Sequence, residues 1–262
     1  MNLLSWNSRG LGNLRTVRVL GDLIQSLKPI FLFLSETKVD SNKVEDLCVK
    51  FGFSKCFAVN RVGPGGGLAV MWKSTMQCRV TDSSNNHIDV VILENNQPAW
   101  RLSCFYGMPE RERRQDSGDL LRQLAVKDSI PWCAFGDFND LLCAADKKGE
   151  HPHPQYMFDG FRTSIGDCNL VELDLMGGEY TWEKSKGKPS WVRERLDRAF
   201  ATNEWWQKFP LCTLRVSHTT CSDHDPIHVQ LFDMAVSRKQ FRFRFENSWL
   251  QEPSFKGEVA TL

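Results

Sequence analysis

The chain has 262 residues and a mass of 30.1 kDa, with 41% hydrophobic and 25% charged residues. This is the composition of an ordinary globular protein of one or two domains, so it excludes collagen-like, coiled-coil and disordered chains. Lys and Arg number 33 against 32 Asp and Glu, and the resulting net charge of +1 gives no support for a nucleic-acid partner. Any such partner must be argued from local sites.

The amino terminus lacks a basic start and becomes polar at Ser5, so it does not resemble a secretory signal. No apolar run approaches the about 18 residues that a membrane-spanning helix needs. Nine cysteines, an odd number without a Cys-x-x-Cys pair, predict reduced thiols rather than a disulfide framework or a zinc site. We therefore expect a protein of the nucleus or the cytoplasm that is neither secreted nor associated with a membrane.

Hydrophobic spacing predicts strands that alternate with helices at the start of the chain. Short apolar runs predict strands at 3–6 and 30–34, and helical spacing predicts helices at 14–27 and 42–51. A meander of five strands follows, with turn-forming Gly, Pro and Asn residues between them. These strands are predicted at 57–60, 67–72, 77–81, 88–94 and 100–106.

Helical spacing returns in the second half, where helices are predicted at 110–127 and 156–167. Further strands are predicted at 132–135, 180–183, 195–201, 213–216 and 227–232. Helices alternate with strands in both halves, so the sequence predicts an α/β or α+β sandwich of two packed sheets with helices outside. Beyond residue 232 aromatic and basic residues alternate, which is typical of an edge strand or a linker.

Polar side chains stand at the ends of four of the predicted strands. They are Asn7, Glu36, Asp137, Asn139, Asp223 and His224. Taken singly, most have a structural explanation, since Asn and Asp cap helices and Gly-Asp is a turn signal. Four such strand ends together favour a shared hydrophilic pocket, because catalysis needs polar groups that converge at one edge of a fold.

The oxygen-rich composition of this predicted pocket favours a hard cation. Mg²⁺ prefers carboxylate and carbonyl oxygens, with Mn²⁺ as an alternative ion, whereas a set with one histidine fits zinc badly. Two carboxylates about 4 Å apart repel by about 4 kcal/mol at an effective dielectric constant of about 20, and a bound divalent ion removes that repulsion. Asp197 is the candidate to orient His224, because a His–Asp pair fixes one tautomer of the imidazole.

The segments that carry these residues resemble, in type and in order, those of the endonuclease/exonuclease/phosphatase superfamily, also called deoxyribonuclease-I-like. The segments are Ser5-Trp6-Asn7-Ser8-Arg9-Gly10, Leu34-Ser35-Glu36-Thr37-Lys38, Tyr106-Gly107, Gly136-Asp137-Phe138-Asn139, Arg195-Leu196-Asp197-Arg198 and Ser222-Asp223-His224-Asp225-Pro226-Ile227. The resemblance covers residues 2–232. It implies a single deoxyribonuclease-I-like domain, a four-layered α/β sandwich of two packed mixed β-sheets flanked by helices.

Within that superfamily, residues 6–12 and 243–250 look most like the endonuclease domains of plant LINE-type (non-LTR) retrotransposons. In those elements the domain precedes a reverse transcriptase. We therefore expect the catalytic domain at 1–232 and, at 233–262, a linker or a truncated extension toward a missing reverse transcriptase. On this interpretation the chain is a fragment or a solitary copy of the domain.

The resemblance implies a role for each matching residue. Glu36 would be the principal metal ligand, with Asn7 and Asp223 beside it. Asp137 would orient or deprotonate the attacking water, and Asn139 would position that water and the phosphate. These five residues are the predicted metal and water site.

Tyr106 would hydrogen-bond a phosphate oxygen, and His224 would contact the phosphate while Asp197 orients it. Arg9 is a departure from the pattern, because apurinic/apyrimidinic endonucleases carry an acid at this position, two residues after the Asn. The departure puts one metal contact in doubt and argues against a dedicated repair enzyme. We place Arg9, with Tyr106 and Asn139, among the residues that contact the substrate.

Local basic and aromatic residues could add substrate contacts. Arg195 flanks Asp197, and Trp182 is followed by three lysines. We therefore predict that Arg195 and Trp182 contact DNA. Two alternatives stay open here. The charged residues could form a solvated face, and Trp182 could pack in the core instead of stacking on a base.

The implied activity is Mg²⁺-dependent, in-line attack of water on a DNA phosphodiester, which leaves a 3′-hydroxyl and a 5′-phosphate. DNA is the expected partner of a monomer that needs no other protein. One alternative is a phosphatase or phosphodiesterase of the same fold that acts on inositol phosphates, sphingomyelin or RNA tails. A second alternative is a decayed copy that binds without cleaving.

Overall fold

Two β-sheets lie face to face in the computed structural model, which describes residues 1–60, 66–149 and 153–232. The strands in chain order are β1 (Asn2–Asn7), β2 (Phe31–Ser35), β3 (Lys55–Val59), β4 (Leu68–Trp72), β5 (Cys78–Ser84), β6 (His87–Glu94), β7 (Gln97–Tyr106), β8 (Trp132–Asp137), β9 (Lys147–Lys148), β10 (Val171–Glu172), β11 (Leu175–Met176), β12 (Trp182–Lys184), β13 (Val192–Glu194), β14 (Asp197–Ala201), β15 (Thr213–Val216) and β16 (Ile227–Gln230). The helices are α1 (Leu14–Leu27), α2 (Ser41–Lys50), α3 (Arg114–Ala125), α4 (Gln155–Asp167) and α5 (Asn203–Lys208).

The seven strands of the first sheet follow the order β11-β15-β16-β1-β2-β4-β3, and the six of the second follow β10-β14-β8-β7-β6-β5. Both sheets are mixed, because β1 pairs in parallel with β2 and β7 with β8, whereas most other neighbours are antiparallel. A third, small sheet has the order β12-β13-β9.

The core between the two large sheets is built from the inward side chains of both. Phe31 and Phe33 of β2 reach across to Phe135 of β8, with ring centroids 6.5 and 6.1 Å apart. Burial of such aromatic surface is the main favourable term in folding, and tilted ring pairs add to it. This core holds the two sheets, and therefore their edges, in a fixed relation.

Helices cover the outer faces of both sheets. In α1, Val17, Leu20 and Leu23 recur at helical spacing and pack on the first sheet, while Asn13 caps the helix by accepting a hydrogen bond from the Arg15 backbone N–H. Helices α3 and α4 pack together over the second sheet. The order helix, sheet, sheet, helix is the predicted four-layered sandwich, and the predicted fold is confirmed.

The topology brings the ends of six strands to one edge. Strands β1 and β2 run in parallel, as do β7 and β8, so their carboxyl ends meet at the same edges of the two sheets. Because β14 is antiparallel to β8, it begins where β8 ends, and Asp197 pairs in register with Asp137. The loop before β16 reaches this edge for the same reason, because β16 is antiparallel to β1.

Gly136 is required at this edge. Its backbone has a φ of +144°, which residues with a Cβ atom rarely adopt. A Cβ atom at this position would lie 2.1 Å from the Phe105 backbone oxygen. The close approach of β7 and β8 before Asp137 therefore depends on glycine.

Several predicted elements differ from the structure in their limits. The helix predicted at 110–127 begins as a 3₁₀ turn over Arg111–Arg113 and continues as α3. The strand predicted at 195–201 starts at Asp197, and the strand predicted at 227–232 ends at Gln230. Helix α5 and the short strands β9, β10, β11 and β13 were not predicted.

Other predictions concern thiols, membrane contact and the chain beyond the fold. All nine cysteines are free thiols, in agreement with the sequence. Within the described ranges, no helix has the length and apolarity to cross a membrane. The turn predicted between the strands at 57–60 and 67–72 lies mostly outside the described residues. The stretch 233–262 lies entirely outside them, so the predicted linker stays a prediction.

Candidate active site

Asn7 joins two carboxylates at the edge where β1, β2 and β8 end. Its side-chain Nδ2 donates to Glu36 Oε1 at 3.1 Å and to Asp137 Oδ2 at 2.9 Å. Glu36 follows β2 directly, and its φ of +48° turns the chain out of the sheet. The amide therefore fixes the spacing of two carboxylates that come from different sheets.

His224 lies between Asp137 and one further carboxylate, Asp197, in the buried part of the site. Its Nδ1 is 2.9 Å from Asp197 Oδ2, and its Nε2 is 3.7 Å from Asp137 Oδ2. All three side chains are at most 3% exposed. A protonated imidazole in this position can hold both carboxylates at once.

The loop that carries His224 is fixed by contacts to the first strand. Ser222 Oγ donates to the Asn7 backbone oxygen at 2.9 Å and accepts from the His224 N–H at 3.1 Å. The indole N–H of Trp6 donates to the His224 backbone oxygen at 2.9 Å. The bonds of Ser222 to Asn7 and of Trp6 to His224 each span more than 200 residues of sequence, and they set the position of the imidazole beside β1.

Tyr106 and Asn139 complete the cluster from β7 and from the loop after β8. The Tyr106 hydroxyl donates to Glu36 Oε1 at 3.2 Å. The backbone N–H of Asn139 donates to Asp137 Oδ1 at 2.9 Å, and its side-chain Nδ2 donates to the Gly107 oxygen at 3.0 Å. The structure thus brings together polar groups from six separate segments.

Burial and neighbouring charges tune the titration of the acid–base residues. Burial raises the pKa of Asp137 to about 6. Burial lowers the pKa of His224, but the charges of Asp197 and Asp137 outweigh it and raise the pKa to about 9. Burial raises the pKa of Glu36, but hydrogen bonds from Asn7 and Lys38 with the charge of Arg9 bring it below its ordinary value. Near neutral pH the site therefore holds an ionised Asp137 beside a protonated His224.

The raised pKa of His224 predicts a pH-dependent contribution to stability. The folded state holds this proton more tightly than the unfolded chain, so the stabilisation is complete below pH 6.5, the ordinary value, and is lost as pH rises through about 9. We expect the unfolding free energy of the wild type relative to His224→Gln to fall by about 3 kcal/mol at most across this window. Denaturant unfolding of both proteins at each pH measures it.

The His224→Gln variant removes the imidazole and also raises the pKa of Asp137 further, because the charge of His224 lowers that pKa in the wild type. The stability of the variant therefore also changes with pH, so the difference between the two proteins falls by less than the titration of His224 alone would give. A stability difference that stays constant from pH 6.5 to pH 9 would mean that the imidazole is neutral in the fold.

Two sets of side chains here have the donor chemistry for a divalent ion. Asp137, Asp197 and His224 offer ligand atoms that all lie within 4.8 Å of one another. In that set the positive charge of a protonated His224 already offsets the negative charge of the two carboxylates. The second set is Glu36, Asn7 and Asp223, all oxygen donors, and Asp223 Oδ1 is a buried acceptor without a hydrogen-bond partner among the described residues. Oxygen donors with an open acceptor fit Mg²⁺.

Lys38 and Arg9 bring positive charge to the second set. Lys38 Nζ lies 2.9 Å from Glu36 Oε2, a contact that sequence reasoning missed although Lys38 belongs to the same motif. The Arg9 guanidinium lies between two carboxylates, with Nε 3.8 Å from Glu36 Oε2 and Nη1 3.2 Å from Asp223 Oδ2. Arg9 is therefore in the site that the sequence predicted, and it contacts the predicted metal ligands.

The two remaining predicted contacts differ in their placement. Trp182 lies against the site, where its indole N–H donates to Asp223 Oδ2 at 3.0 Å and its backbone forms a bridge with His224. Arg195 instead forms an ion pair with Glu172 at 2.9 Å, so the structure does not draw its guanidinium into the cluster. A substrate contact by Arg195 stays a prediction.

Sequence reasoning also missed Thr181. Its hydroxyl oxygen accepts hydrogen bonds from the backbone N–H groups of Leu196 and Asp197, at 3.1 and 2.9 Å. A threonine before a tryptophan carries no sequence signal for this role, because the contact depends on the pairing of β12 with β13.

A family model described as the Endonuclease/Exonuclease/phosphatase family matches residues 4–224 of the sequence, a range that holds every residue of the cluster. No curated protein matches the sequence.

Solved structures share the fold at low sequence identity. The endonuclease domain of TRAS1, a telomere-specific non-LTR retrotransposon, gives a TM-score of 0.63 at 16% identity, covering 88% of this chain and 97% of that one. The 3′ phosphatase NExo from Neisseria, bound to a product DNA hairpin, gives 0.68 at 17% identity, with 88% and 99% covered. An AP endonuclease from Archaeoglobus fulgidus gives 0.67 at 15% identity, again with 88% and 99% covered.

Proposed function

The chain belongs to the endonuclease/exonuclease/phosphatase family of phosphoester hydrolases, and from this premise we propose that it is a Mg²⁺-dependent endonuclease that nicks DNA. The products are a 3′-hydroxyl and a 5′-phosphate. The observation that carries the proposal is the juxtaposition of Asp137, at a pKa of about 6, with a protonated His224 and an amide-linked Glu36.

Asp137 is the general base in this proposal. A base works best when its pKa lies near the operating pH, and a buried carboxyl that ionises at about 6 is available near neutrality. It accepts the proton of the attacking water, while Asn139 positions that water and the phosphate. The bonds from Asn7 and the Asn139 N–H hold the carboxylate in place.

His224 and Tyr106 hold the phosphate. The protonated imidazole and the phenol can each donate to a phosphate oxygen, which stabilises the negative charge that grows as water attacks. Asp197 keeps His224 charged and in one orientation through Nδ1. Glu36, Asn7 and Asp223 would hold Mg²⁺, or Mn²⁺ in its place, and the bound ion would supply positive charge to shield the phosphate and stabilise the leaving oxygen.

DNA is proposed as the substrate, and a retroelement as the origin. Both proposals are supported by the similarity of this fold to the TRAS1 endonuclease domain and to the DNA-bound Neisseria phosphatase. A nick with a free 3′-hydroxyl is a primer for a reverse transcriptase, which fits a plant LINE-type element. We further propose a monomer that acts in the nucleus, where its substrate lies.

A plasmid assay tests the activity. Supercoiled plasmid is incubated with the protein and Mg²⁺, and in parallel with a chelator. We expect open-circular plasmid with Mg²⁺ and none with the chelator. DNA ligase alone should then reseal the nick, because ligase joins only a 3′-hydroxyl to a 5′-phosphate.

The same assay separates the alternatives. Release of phosphate from inositol phosphates, without nicking of plasmid, would favour a phosphatase or phosphodiesterase for another substrate. DNA binding without any hydrolysis would favour a decayed copy. Nicks that ligase cannot reseal would contradict the proposed products.

A further inference from the structure

The position of Arg9 at the predicted metal site is the starting observation. Its guanidinium is shared between Glu36, at 3.8 Å, and Asp223, at 3.2 Å. These are two of the three ligands proposed for the ion. In this arrangement a cation of the chain itself lies where two carboxylates would otherwise repel each other.

The backbone around this cation is built for the contact. Arg9, Glu36 and Lys38 all have positive φ, at 51°, 48° and 54°. Non-glycine residues rarely adopt this conformation and keep it only where surrounding contacts impose it. Here the Leu11 N–H donates to the Thr37 oxygen at 2.8 Å and so ties the two loops together. The loops thus hold the Arg9 and Glu36 backbones at a fixed distance.

The Arg9 and Lys38 side chains differ in their freedom to move. The Lys38 side chain is 29% exposed, and of the two carboxylates it contacts Glu36, at 2.9 Å. The Arg9 side chain is 46% exposed and spans both. A long, half-exposed side chain can leave its partners for solvent or for a phosphate at little cost, since exposed ion pairs contribute little to stability.

We infer that the Arg9 guanidinium competes with the divalent ion for Glu36 and Asp223, and that the ion, when it binds, releases Arg9 to a phosphate of the substrate. The inference rests on the proposed function, because it takes these two carboxylates as metal ligands. Asp223 Oδ1 has no hydrogen-bond partner among the described residues, so it stays open to the ion even while Arg9 is in place.

A linkage follows from this competition. Any group that draws the guanidinium away from the carboxylates raises their affinity for the ion. A backbone phosphate of DNA that binds the guanidinium has this effect. By reciprocity, the ion must strengthen the binding of the phosphate by the same factor. Arg9 therefore couples metal and DNA, and the substrate itself raises the metal affinity of the site.

The test measures metal binding without DNA and without turnover. Mn²⁺ binding to the full chain is followed by electron paramagnetic resonance, and Mg²⁺ by its displacement of Mn²⁺. We expect Arg9→Gln to bind both ions about five- to tenfold more tightly than the wild type, as for the loss of two competing ion pairs. Arg9→Lys keeps the positive charge on a shorter side chain, so its affinity for the ions should lie between those of the wild type and Arg9→Gln.

Arg15→Gln is the matched control. It removes the same charge six residues along the chain, from a side chain that donates to Thr220 Oγ1 at 3.3 Å and touches neither carboxylate. Its metal affinity should stay within about twofold of the wild type, since exposed charges further away are largely screened. A gain in both variants would assign the effect to the overall charge of the surface and overturn the inference.

A second measurement follows the DNA side. Binding of a short duplex in the presence of Ca²⁺ should weaken in Arg9→Gln, and the slope of log affinity against log salt should fall by about one. Unchanged or weaker ion binding in folded Arg9→Gln would overturn the inference, as would the absence of ion binding in both proteins. Tighter ion binding by Arg9→Gln in a protein that never nicks DNA would uphold the competition and refute the proposed endonuclease.

Discussion

Replacing Asp137 by Asn is expected to lower the rate of Mg²⁺-dependent nicking by about 10²–10⁴-fold, the contribution of a positioned general base. Asn has the same size, and its single side-chain oxygen can keep the bond from the Asn139 N–H to Oδ1, but its NH2 group cannot accept the bond that Asn7 donates to Oδ2. The main loss is the carboxylate that accepts a proton. The measurement is the initial rate of conversion of supercoiled to open-circular plasmid.

Asp140→Asn is the matched control for this substitution. Asp140 is also a buried carboxyl whose pKa burial raises to about 6, and it lies three residues away beside Arg114. It touches no member of the cluster among its described contacts. We expect it to keep most of the nicking rate. Equal losses in both variants, or an Asp137→Asn rate within about tenfold of the wild type, would refute the assigned base.

Replacing Asp197 by Asn should lower the rate by about 10²–10⁴-fold, as expected for a carboxylate that orients and charges a catalytic histidine. It should also move the alkaline limb of the pH–rate profile to lower pH. The limb lies where His224 loses its proton, at about 9, and without the Asp197 charge the imidazole holds that proton less tightly. The acid limb, set by Asp137, should change less.

The shift of the alkaline limb separates this role from a merely structural one. Asp197 is 1% exposed, and its backbone N–H donates to Thr181 Oγ1, a bond that Asn retains. Glu172→Gln is a suitable control, because Glu172 pairs with Arg198, the residue next to Asp197, yet does not contact the imidazole. A lower rate with both limbs unmoved would mean that Asp197 supports the fold and not the charge of His224.

The cluster of polar residues proposed as the active site was predictable because of where strands end. Glu36 and Asp137 each follow an apolar run that can only be a buried strand, and parallel pairing brings such ends together. Predicting the His224–Asp197 pair needed only the expectation that a buried imidazole has a carboxylate partner. The sandwich was predictable for a related reason, since helical and strand spacing alternate in both halves.

The short elements were not predictable from local pattern. Helix α5 has six residues, and Trp205 within it is fully buried and packs against Trp100 and Phe209, so tertiary packing decides the conformation. Strands β9, β10 and β11 have two residues each and exist only through their partners. Such segments carry no periodicity.

The basic residues around the site were the least predictable part. The contact of Arg9 with both carboxylates depends on backbones at positive φ, which no spacing reveals. Arg195 stands two residues before Asp197 and would share its face in a regular strand. The chain is irregular between β13 and β14, so the alternation is broken and Arg195 turns to Glu172.

The pairing of β1 with β16 ties the cluster to synthesis of the chain as far as β16. Leu3 of β1 pairs with Val229 of β16, and the His224 loop is bonded to Trp6 and Asn7. A polypeptide interrupted anywhere before residue 224 lacks the imidazole and leaves an edge of β1 open to solvent. Prematurely terminated translation products therefore carry an incomplete sheet together with an incomplete cluster, and the proposed activity should emerge only after β16 has been synthesised and docked.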